Sequence, residues 1–255
     1  MINVLICGIG GKMGHNVLEC ISSYENMKVI GGIDKFANAD SFSVPVYKSV
    51  FDVKDKVDVI IDFSRPEALD DLLTYATKTN TSLVLATTGY TDEQQKAVDE
   101  ASKKTAIFQS SNMSLGVNLL IELCRKAADF LGNAFEVEII EQHHNRKVDA
   151  PSGTALSIAK AINEQFDNSK EFVYGRHGKD AKRTPNEIGI HAVRGGTIVG
   201  KHDVLFIGND EIITLAHEAQ SRMVFAQGAV KAAGFVASKK SGKYSMKEML
   251  AEIMD

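Results

Sequence analysis

The chain has 255 residues, 44% of them hydrophobic and 24% charged, which excludes a disordered or fibrous polypeptide and leaves room for two modest domains. Its formal net charge is -4, and lysine, arginine and acidic residues are mixed with no long run of one sign, so no nucleic-acid surface or membrane-binding arm is expected and the partner should be a small molecule. The N-terminal MINVLICGIGGKMG is apolar for only a strand's length without a basic leader, and no apolar stretch approaches the roughly 18 residues of a membrane span, so a cytoplasmic protein is expected.

Up to residue 111, short β-branched runs alternate with amphipathic stretches, the pattern of a parallel sheet wound with crossover helices. The runs 4–7, 28–33, 57–63, 83–87 and 106–109 are largely apolar, as strands covered on both faces must be. Between them, Met13, Val17, Leu18 and Ile21 recur at helical spacing, as do Leu69, Leu72, Leu73 and Ala76. Thr91 and Gln94 form a capping box that opens another helix.

The first strand runs directly into Gly8, Ile9, Gly10, Gly11, Lys12, Met13 and Gly14, and a helix follows. In that context glycines admit a pyrophosphate where a Cβ would block it, and the helix start offers free N–H groups and a positive dipole end. The strict G-x-G-x-x-G fingerprint is broken, because its last glycine would fall on Met13; the glycines present at regular spacing are Gly8, Gly11 and Gly14. Asp34, 20 residues after Gly14, ends the second strand pattern where an acid accepts from an adenine-ribose hydroxyl. Lys12 and Lys35 would attract a 2′-phosphate that Asp34 would repel, so NADH and NADPH both stay open.

A long helical pattern follows from Leu115 through Leu120, Cys124, Ala127 and Leu131, with Gly132 suited to end it in the left-handed conformation. Beyond it Phe135, Val137 and Ile139 alternate with Glu136 and Glu138, and Ile188, Ile190 and Ala192 repeat the period of two. The runs 204–207 and 212–215 read as a hairpin across Gly208, Asn209, Asp210 and Glu211, with Gly and Asn supplying the turn conformations. From Arg222 a helical pattern through Met223, Ala226, Val230, Ala233 and Ala237 is read as returning to the first domain, and 238–243 is read as a solvated loop. The expected fold class is therefore α/β: a Rossmann-like parallel-sheet domain over 1–113 and 222–255, and a smaller α+β domain with a mixed sheet over 114–221. Cys7, Cys20 and Cys124, odd in number and without CxxC spacing, are read as core residues.

The densest cluster of reactive groups lies between a strand and a helix, in Glu141-Gln142-His143-His144-Asn145-Arg146-Lys147-Val148-Asp149-Ala150-Pro151-Ser152-Gly153-Thr154-Ala155. Leu156, Ala159, Ile162 and Phe166 make the following segment an amphipathic helix, which puts Ser152, Gly153 and Thr154 at its start, where unpaired N–H groups favour a carboxylate. Reduction of a carbon–nitrogen or conjugated double bond needs a positioned proton donor and cations to hold the substrate, tasks suited to histidine and lysine. Two adjacent histidines without a third ligand at suitable spacing are poor evidence for zinc, so no metal is assigned.

This segment resembles the signature E-x-H-H-x-x-K-x-D-x-P-S-G-T-A of the dihydrodipicolinate reductase family. Further motifs of that family are matched by Gly8 to Gly14, by D-F-S-x-P at Asp62 to Pro66, by T-T-G at Thr87 to Gly89, by N-M-S-x-G-V-N at Asn112 to Asn118, and by His191 to Gly196 and Val199 to His202. Ala86 stands where the family often has glycine, and Met113 where phenylalanine is common.

The resemblance implies an oxidoreductase of lysine and diaminopimelate biosynthesis, transferring hydride from NADPH or NADH to 4-hydroxy-tetrahydrodipicolinate, a small dicarboxylate. It further implies a proton-exchanging role for His143 and a second proton donor in Lys147. His144, Ser152, Gly153 and Thr154 are implied to hold the substrate carboxylates. Gly8, Ile9, Gly10, Gly11, Lys12, Met13, Asp34, Lys35, Ala86, Thr87, Thr88, Ser110, Ser111, Asn112 and Met113 are implied to contact the cofactor. A homotetramer joined through second-domain sheets is implied as well.

Two rivals fit less well. A short-chain dehydrogenase needs Tyr-x-x-x-Lys on a helix well past the cofactor loop, and only Tyr24 and Lys28 have that spacing, before the second strand. A non-catalytic nucleotide sensor has no use for His143, Lys147 and a carboxylate-ready helix start.

Overall fold

Strands that are apolar on both faces must be covered on both faces, and crossover helices do this when the strands run parallel. In the computed structural model, which describes residues 1–254 and side chains through Glu252, the elements follow that logic before changing style midway. In chain order they are β1 (Ile2–Cys7), α1 (Lys12–Ile21), β2 (Met27–Ile33), β3 (Val46–Tyr47), β4 (Val59–Asp62), α2 (Leu69–Thr79), β5 (Ser82–Leu85), α3 (Asp92–Ser102), β6 (Ala106–Gln109), α4 (Leu115–Leu131), β7 (Glu136–His143), α5 (Gly153–Asn163), β8 (Glu171–Tyr174), β9 (Glu187–Arg194), β10 (Gly200–Ile207), β11 (Ile212–Ala219), α6 (Met223–Ala237), β12 (Gly242–Tyr244) and α7 (Met246–Met254). They divide into two compact units, residues 1–115 with 222 onward, and residues 116–221. Asp255, the last residue of the expected first domain, lies outside the described residues.

The first unit is a seven-stranded sheet in the order β12-β6-β5-β4-β1-β2-β3, parallel at every pairing. Side chains of β1 alternate between two cores. Val4 and Ile6 pack on the face covered by Val17, Cys20 and Ile21 of α1 and by the alanine-rich α6. Leu5 and Cys7 pack on the face covered by Leu69, Leu72, Leu73 and Ala76 of α2 and Val98 of α3. The expected capping box is present, with Thr91 Oγ1 accepting from Gln94 N and Gln94 Oε1 from Thr91 N. Winding reverses between β1 and β4, so the carboxyl ends of these neighbours diverge into a crevice, the usual ligand position in such sheets.

The second unit is a five-stranded mixed sheet, β11-β10-β7-β9-β8. The pairs β10/β11 and β10/β7 are antiparallel, while β7/β9 and β8/β9 are parallel. Val137, Ile139, Ile188, Ile190, Val204 and Phe206 face Leu120, Cys124 and Ala128 of α4 and Ala155, Ile158, Ala159 and Ile162 of α5. Period-two strands thus bury one face on two helices.

Two sequence readings are corrected. Residues 238–243 are not wholly a solvated loop, because Gly242 and Lys243 begin β12, which extends the sheet beside Ala106 and Ile107; a three-residue edge strand with polar side chains has no periodicity to announce it. In the turn after β10, closed by Gly208 N to Glu211 O at 2.8 Å, neither Gly208 nor Asn209 is left-handed. Gly208 eases the packing there, since a Cβ would lie 3.0 Å from the Phe135 ring.

Close approach also dictates Gly228 inside α6, where a Cβ would fall 1.7 Å from the Met113 carbonyl oxygen. Alanine at an unobstructed helix position stabilises by up to about 1 kcal/mol relative to glycine. Here the sign should reverse: Gly228→Ala should lose roughly 1–3 kcal/mol or more of unfolding free energy, read as a lowered urea midpoint at unchanged slope. A raised midpoint would contradict the packing described.

Candidate active site

The glycine turn joins β1 to α1. Gly8 sits at φ +79°, and a Cβ there would lie 2.7 Å from the Phe63 carbonyl oxygen; at Gly14 it would lie 2.3 Å from the Gly8 carbonyl oxygen. These two contacts explain why glycines at 8 and 14 serve although the strict fingerprint is broken: one makes the turn, the other lets the helix start pack on it. Gly11 is the N-cap of α1 and lends no side chain to the helix amides. Gly10 and Lys12 are exposed, whereas Ile9 is buried in the core, so a ligand meets Ile9 by its backbone alone.

Asp34 follows β2 and accepts three backbone N–H groups, from Gly10 to Oδ2 at 3.0 Å and from Phe36 and Ala37 to Oδ1 at 2.9 and 3.0 Å. The carboxylate therefore clamps the glycine turn to the loop after β2, and of its roughly four acceptor sites one on Oδ2 is left for a ribose hydroxyl. A groove of about 590 Å³ runs along these residues, lined by Gly8, Gly10, Gly11, Asp34 and Lys35, and also by Phe36, Phe63 and Arg65, which the sequence reading did not single out. Bare glycine backbone, an uncapped helix start, a carboxylate at the ribose position and two cations fit a nicotinamide dinucleotide.

The other expected cofactor residues stand at the same carboxyl edge of the parallel sheet, Ala86, Thr87 and Thr88 after β5 and Ser110, Ser111, Asn112 and Met113 after β6. Their side chains are not equally available. Thr88 and Ser111 are exposed and Met113 is buried in the core. Ser110 Oγ donates to the Asn112 carbonyl, and Thr87 Oγ1 donates to buried Asp62 at 2.8 Å.

In the second unit the reactive segment leaves the end of β7. Residues 137, 139, 141 and 143 share the helix-covered face, so Glu141 and His143 are buried although their neighbours are not. His143 Nδ1 donates to Glu141 Oε2 at 2.6 Å. Arg194, paired with His143 across the β7/β9 register, grips both carboxylate oxygens at 2.7 and 2.8 Å, and Ser152 N donates to Oε1 at 2.9 Å. Burial alone would push the Glu141 carboxyl up; the Arg194 guanidinium, the His143 imidazole and the Ser152 N–H outweigh it and hold the group below the ordinary glutamate range. Burial pulls the His143 imidazole below its ordinary value, against the opposing pull of Glu141. Its Nε2 looks toward Gly200, where a Cβ would lie 3.0 Å away.

Ser152 is the N-cap of α5. Its Oγ accepts from Ala155 N at 3.1 Å and meets His202 Nε2 at 3.0 Å, so this 2% exposed hydroxyl is committed internally. His202 is pushed down to about 4, first by burial and then by His143, whose ring stacks edge-on at 5.3 Å. Gly153 and Thr154 open the helix, Gly153 with free space around it. Lys147 Nζ lies 2.8 Å from Asp149 Oδ1 and holds that carboxyl low. His144 Nδ1 is buried and has no hydrogen-bond partner among the described residues, a feature suited to a ligand carboxylate.

The sequence reading quoted Glu141, Arg194, Gly200 and His202 within its motifs but gave none of them a role. Glu141 left a signal: on β7 it falls at an inward position, where a glutamate must be paired. The other three come from β9 and β10, and only strand pairing brings them to the end of β7.

Comparison with known proteins points to one family. The family described as "Dihydrodipicolinate reductase, N-terminus" matches residues 2–113, and "Dihydrodipicolinate reductase, C-terminus" matches residues 116–250. A 4-hydroxy-tetrahydrodipicolinate reductase of Caldanaerobacter subterraneus subsp. tengcongensis is 50% identical over 98% of both chains. One of Clostridium novyi is 44% identical over 98% of both chains. The solved structure of a dipicolinate-bound dihydrodipicolinate reductase from Paenisporosarcina sp. TG-14 superposes with a TM-score of 0.80 at 28% identity, covering 97% of this chain and 99% of that one. The chain belongs to the dihydrodipicolinate reductase family.

Proposed function

We infer that this chain is an oxidoreductase that reduces 4-hydroxy-tetrahydrodipicolinate to tetrahydrodipicolinate in lysine and diaminopimelate biosynthesis, using NADH or NADPH. When bound, the nicotinamide cofactor supplies the hydride. The remaining roles fall to the chain's own residues, and we propose that the first unit holds the cofactor and the second the dicarboxylate.

At the cofactor, the backbone of Gly8, Ile9, Gly10, Gly11, Lys12 and Met13 faces the pyrophosphate, and Asp34 and Lys35 attend the adenine ribose. Ala86, Thr87, Thr88, Ser110, Ser111, Asn112 and Met113 border the rest, with Thr87 and Met113 contributing backbone. Support comes from the uncapped α1 start and the glycine-lined groove.

For the substrate, the observation that carries the reading is the assembly of one carboxylate-backed imidazole, one ammonium and one helix start at the end of β7. Gly153 and Thr154 amides and His144 receive the two carboxylates, and Ser152 shapes that helix start rather than donating its hydroxyl. The bound dipicolinate of the solved relative supports a small dicarboxylate. The ring's 4-hydroxyl leaves as water to give a conjugated imine; hydride addition to that imine leaves negative charge on the ring, and Lys147 delivers a proton there. His143 exchanges the proton through Nε2, because Nδ1 is committed to Glu141. Glu141, fixed by Arg194, sets that tautomer.

Finer aspects follow as proposals. The helix-free face of the mixed sheet carries Ile140, Leu205 and the exposed Val193, and we propose that other copies cover it in a homotetramer. We also propose cytoplasmic residence, in keeping with three free, buried thiols.

Absorbance at the reduced nicotinamide band, followed with 4-hydroxy-tetrahydrodipicolinate generated in situ, should fall with NADH or NADPH; no change with either would overturn the activity. In that assay His143→Gln and Lys147→Ala should each lower kcat by about 10²–10⁴-fold while cofactor affinity stays at the parent value. Glu141→Gln removes the charge that supports the imidazolium, so the acid limb of the pH profile of kcat/KM for the dicarboxylate should move to lower pH. An unmoved limb would separate Glu141 from the titrating group. Light scattering should return four chain masses, and a monomer mass would exclude the tetramer.

A further inference from the structure

Asp62, the last residue of β4, is 1% exposed, and its identified partners are all neutral donors. Oδ1 accepts from Ser64 N at 3.0 Å and from Ser64 Oγ; Oδ2 accepts from Thr87 Oγ1 at 2.8 Å and Tyr90 OH at 3.3 Å. The Cys7 side chain, at the end of β1, lies beside it in register. A carboxylate removed from water without a cation is among the costliest groups a fold can carry. It is tolerated here by saturation with donors, which come from the turns after two neighbouring strands, β4 and β5.

Those strand ends border the glycine-lined groove. Cys7, Phe63 and Ser64 line it, and the absent Cβ of Gly8 would lie 2.7 Å from Phe63 O and 3.1 Å from Ser64 Cα. A shift of the turn after β4 would therefore close or open the groove at the glycine turn. On the other side, Thr87 and Tyr90 bracket Thr88 and Gly89, the latter at φ +85°, so Asp62 holds both ends of that turn while Thr88 stays exposed between them.

We propose that Asp62 is a positioning residue for the nicotinamide cofactor: by accepting from Ser64, Thr87 and Tyr90 it locks the turns after β4 and β5 into the shape that receives the dinucleotide. This rests on the reading of the groove as the cofactor site. Burial pushes the Asp62 carboxyl above the ordinary aspartate range, and the donors pull against that rise. Burial and the nearby carboxylate likewise push the Tyr90 phenol up, which keeps it a donor. Touching nothing but protein, Asp62 acts through the two turns.

The test is cofactor affinity, measured by the fluorescence of bound NADH and NADPH, in Asp62→Asn, Thr87→Val and the double variant. An amide offers one acceptor oxygen in place of two, and valine removes one donor at constant shape. Each single variant should weaken both cofactors about tenfold, the scale of one or two lost hydrogen bonds to a charged acceptor. The double variant should be no weaker than the worse single one, because both changes break one linkage. Affinity for dipicolinate, the probe for the second unit, should not move. Parent-like cofactor affinity in both single variants, or losses that multiply in the double variant, would overturn the proposal. A purely structural role would lower the melting temperature and leave the affinity of folded protein unchanged. Should Asp62→Asn not fold, Thr87→Val with Tyr90→Phe carries the same comparison. Gly10→Val, whose side chain would run into Asp34 and Ala37, tests the underlying reading. If it binds cofactor normally, the groove assignment itself is wrong; if it loses cofactor while Asp62→Asn and Thr87→Val keep it, only the role of Asp62 falls.

Discussion

In each unit one carboxylate is buried at the end of a central strand, and the local architecture is arranged around keeping it saturated with donors. Asp62 closes β4 and draws on Ser64, Thr87 and Tyr90; Glu141 lies near the end of β7 and draws on His143, Ser152 and Arg194. A buried anion cannot tolerate a missing partner, because the unpaired charge costs far more than a surface one. The segments that supply the partners are therefore held in one arrangement, and these are the segments to which we assign the chemistry.

The two carboxylates are saturated differently. Asp62 has neutral donors and its carboxyl is raised by burial, so its value lies in shape. Glu141 has a bidentate guanidinium and stays ionised, so it also polarises the imidazole it holds. Such a charge favours the protonated form of the His143 imidazole. A turn that receives a dinucleotide needs only to be rigid. Asp34 is a third variant, half-exposed and accepting three backbone amides, which stiffens the glycine turn from outside.

Polar side chains that sequence logic would assign to ligands are often recruited by the protein itself. The Thr87 hydroxyl serves Asp62, the Ser152 hydroxyl caps α5 and meets His202, and Ser110 closes its own turn. What remains for ligands is largely backbone amide at turns and helix starts, together with Lys12, Lys35, Lys147 and His144. Backbone amides tolerate changes of side chain so long as the turn geometry survives, as at Met113, whose side chain is core.

The alternation of apolar runs with helical stripes over the first hundred residues determined the parallel α/β unit, and the switch to period two after Gly132 determined a second, mixed sheet; the glycine turn and the cluster from Glu141 to Ala155 were equally legible, because local periodicity and dense reactive groups are written in contiguous residues. The short strands β3, β8 and β12 were not, since two to four residues are too few to carry a period and become strands only beside a neighbour that pairs with them. Only the tertiary structure decided which hydroxyls are already spent, that Arg194 and His202 reach the end of β7, and that Thr87 and Tyr90 converge on Asp62. Thr87 and Tyr90 lie 25 and 28 positions from Asp62, and Arg194 and His202 lie 53 and 61 positions from Glu141; strand pairing, a property of the folded sheet rather than of any local run, is what brings them together.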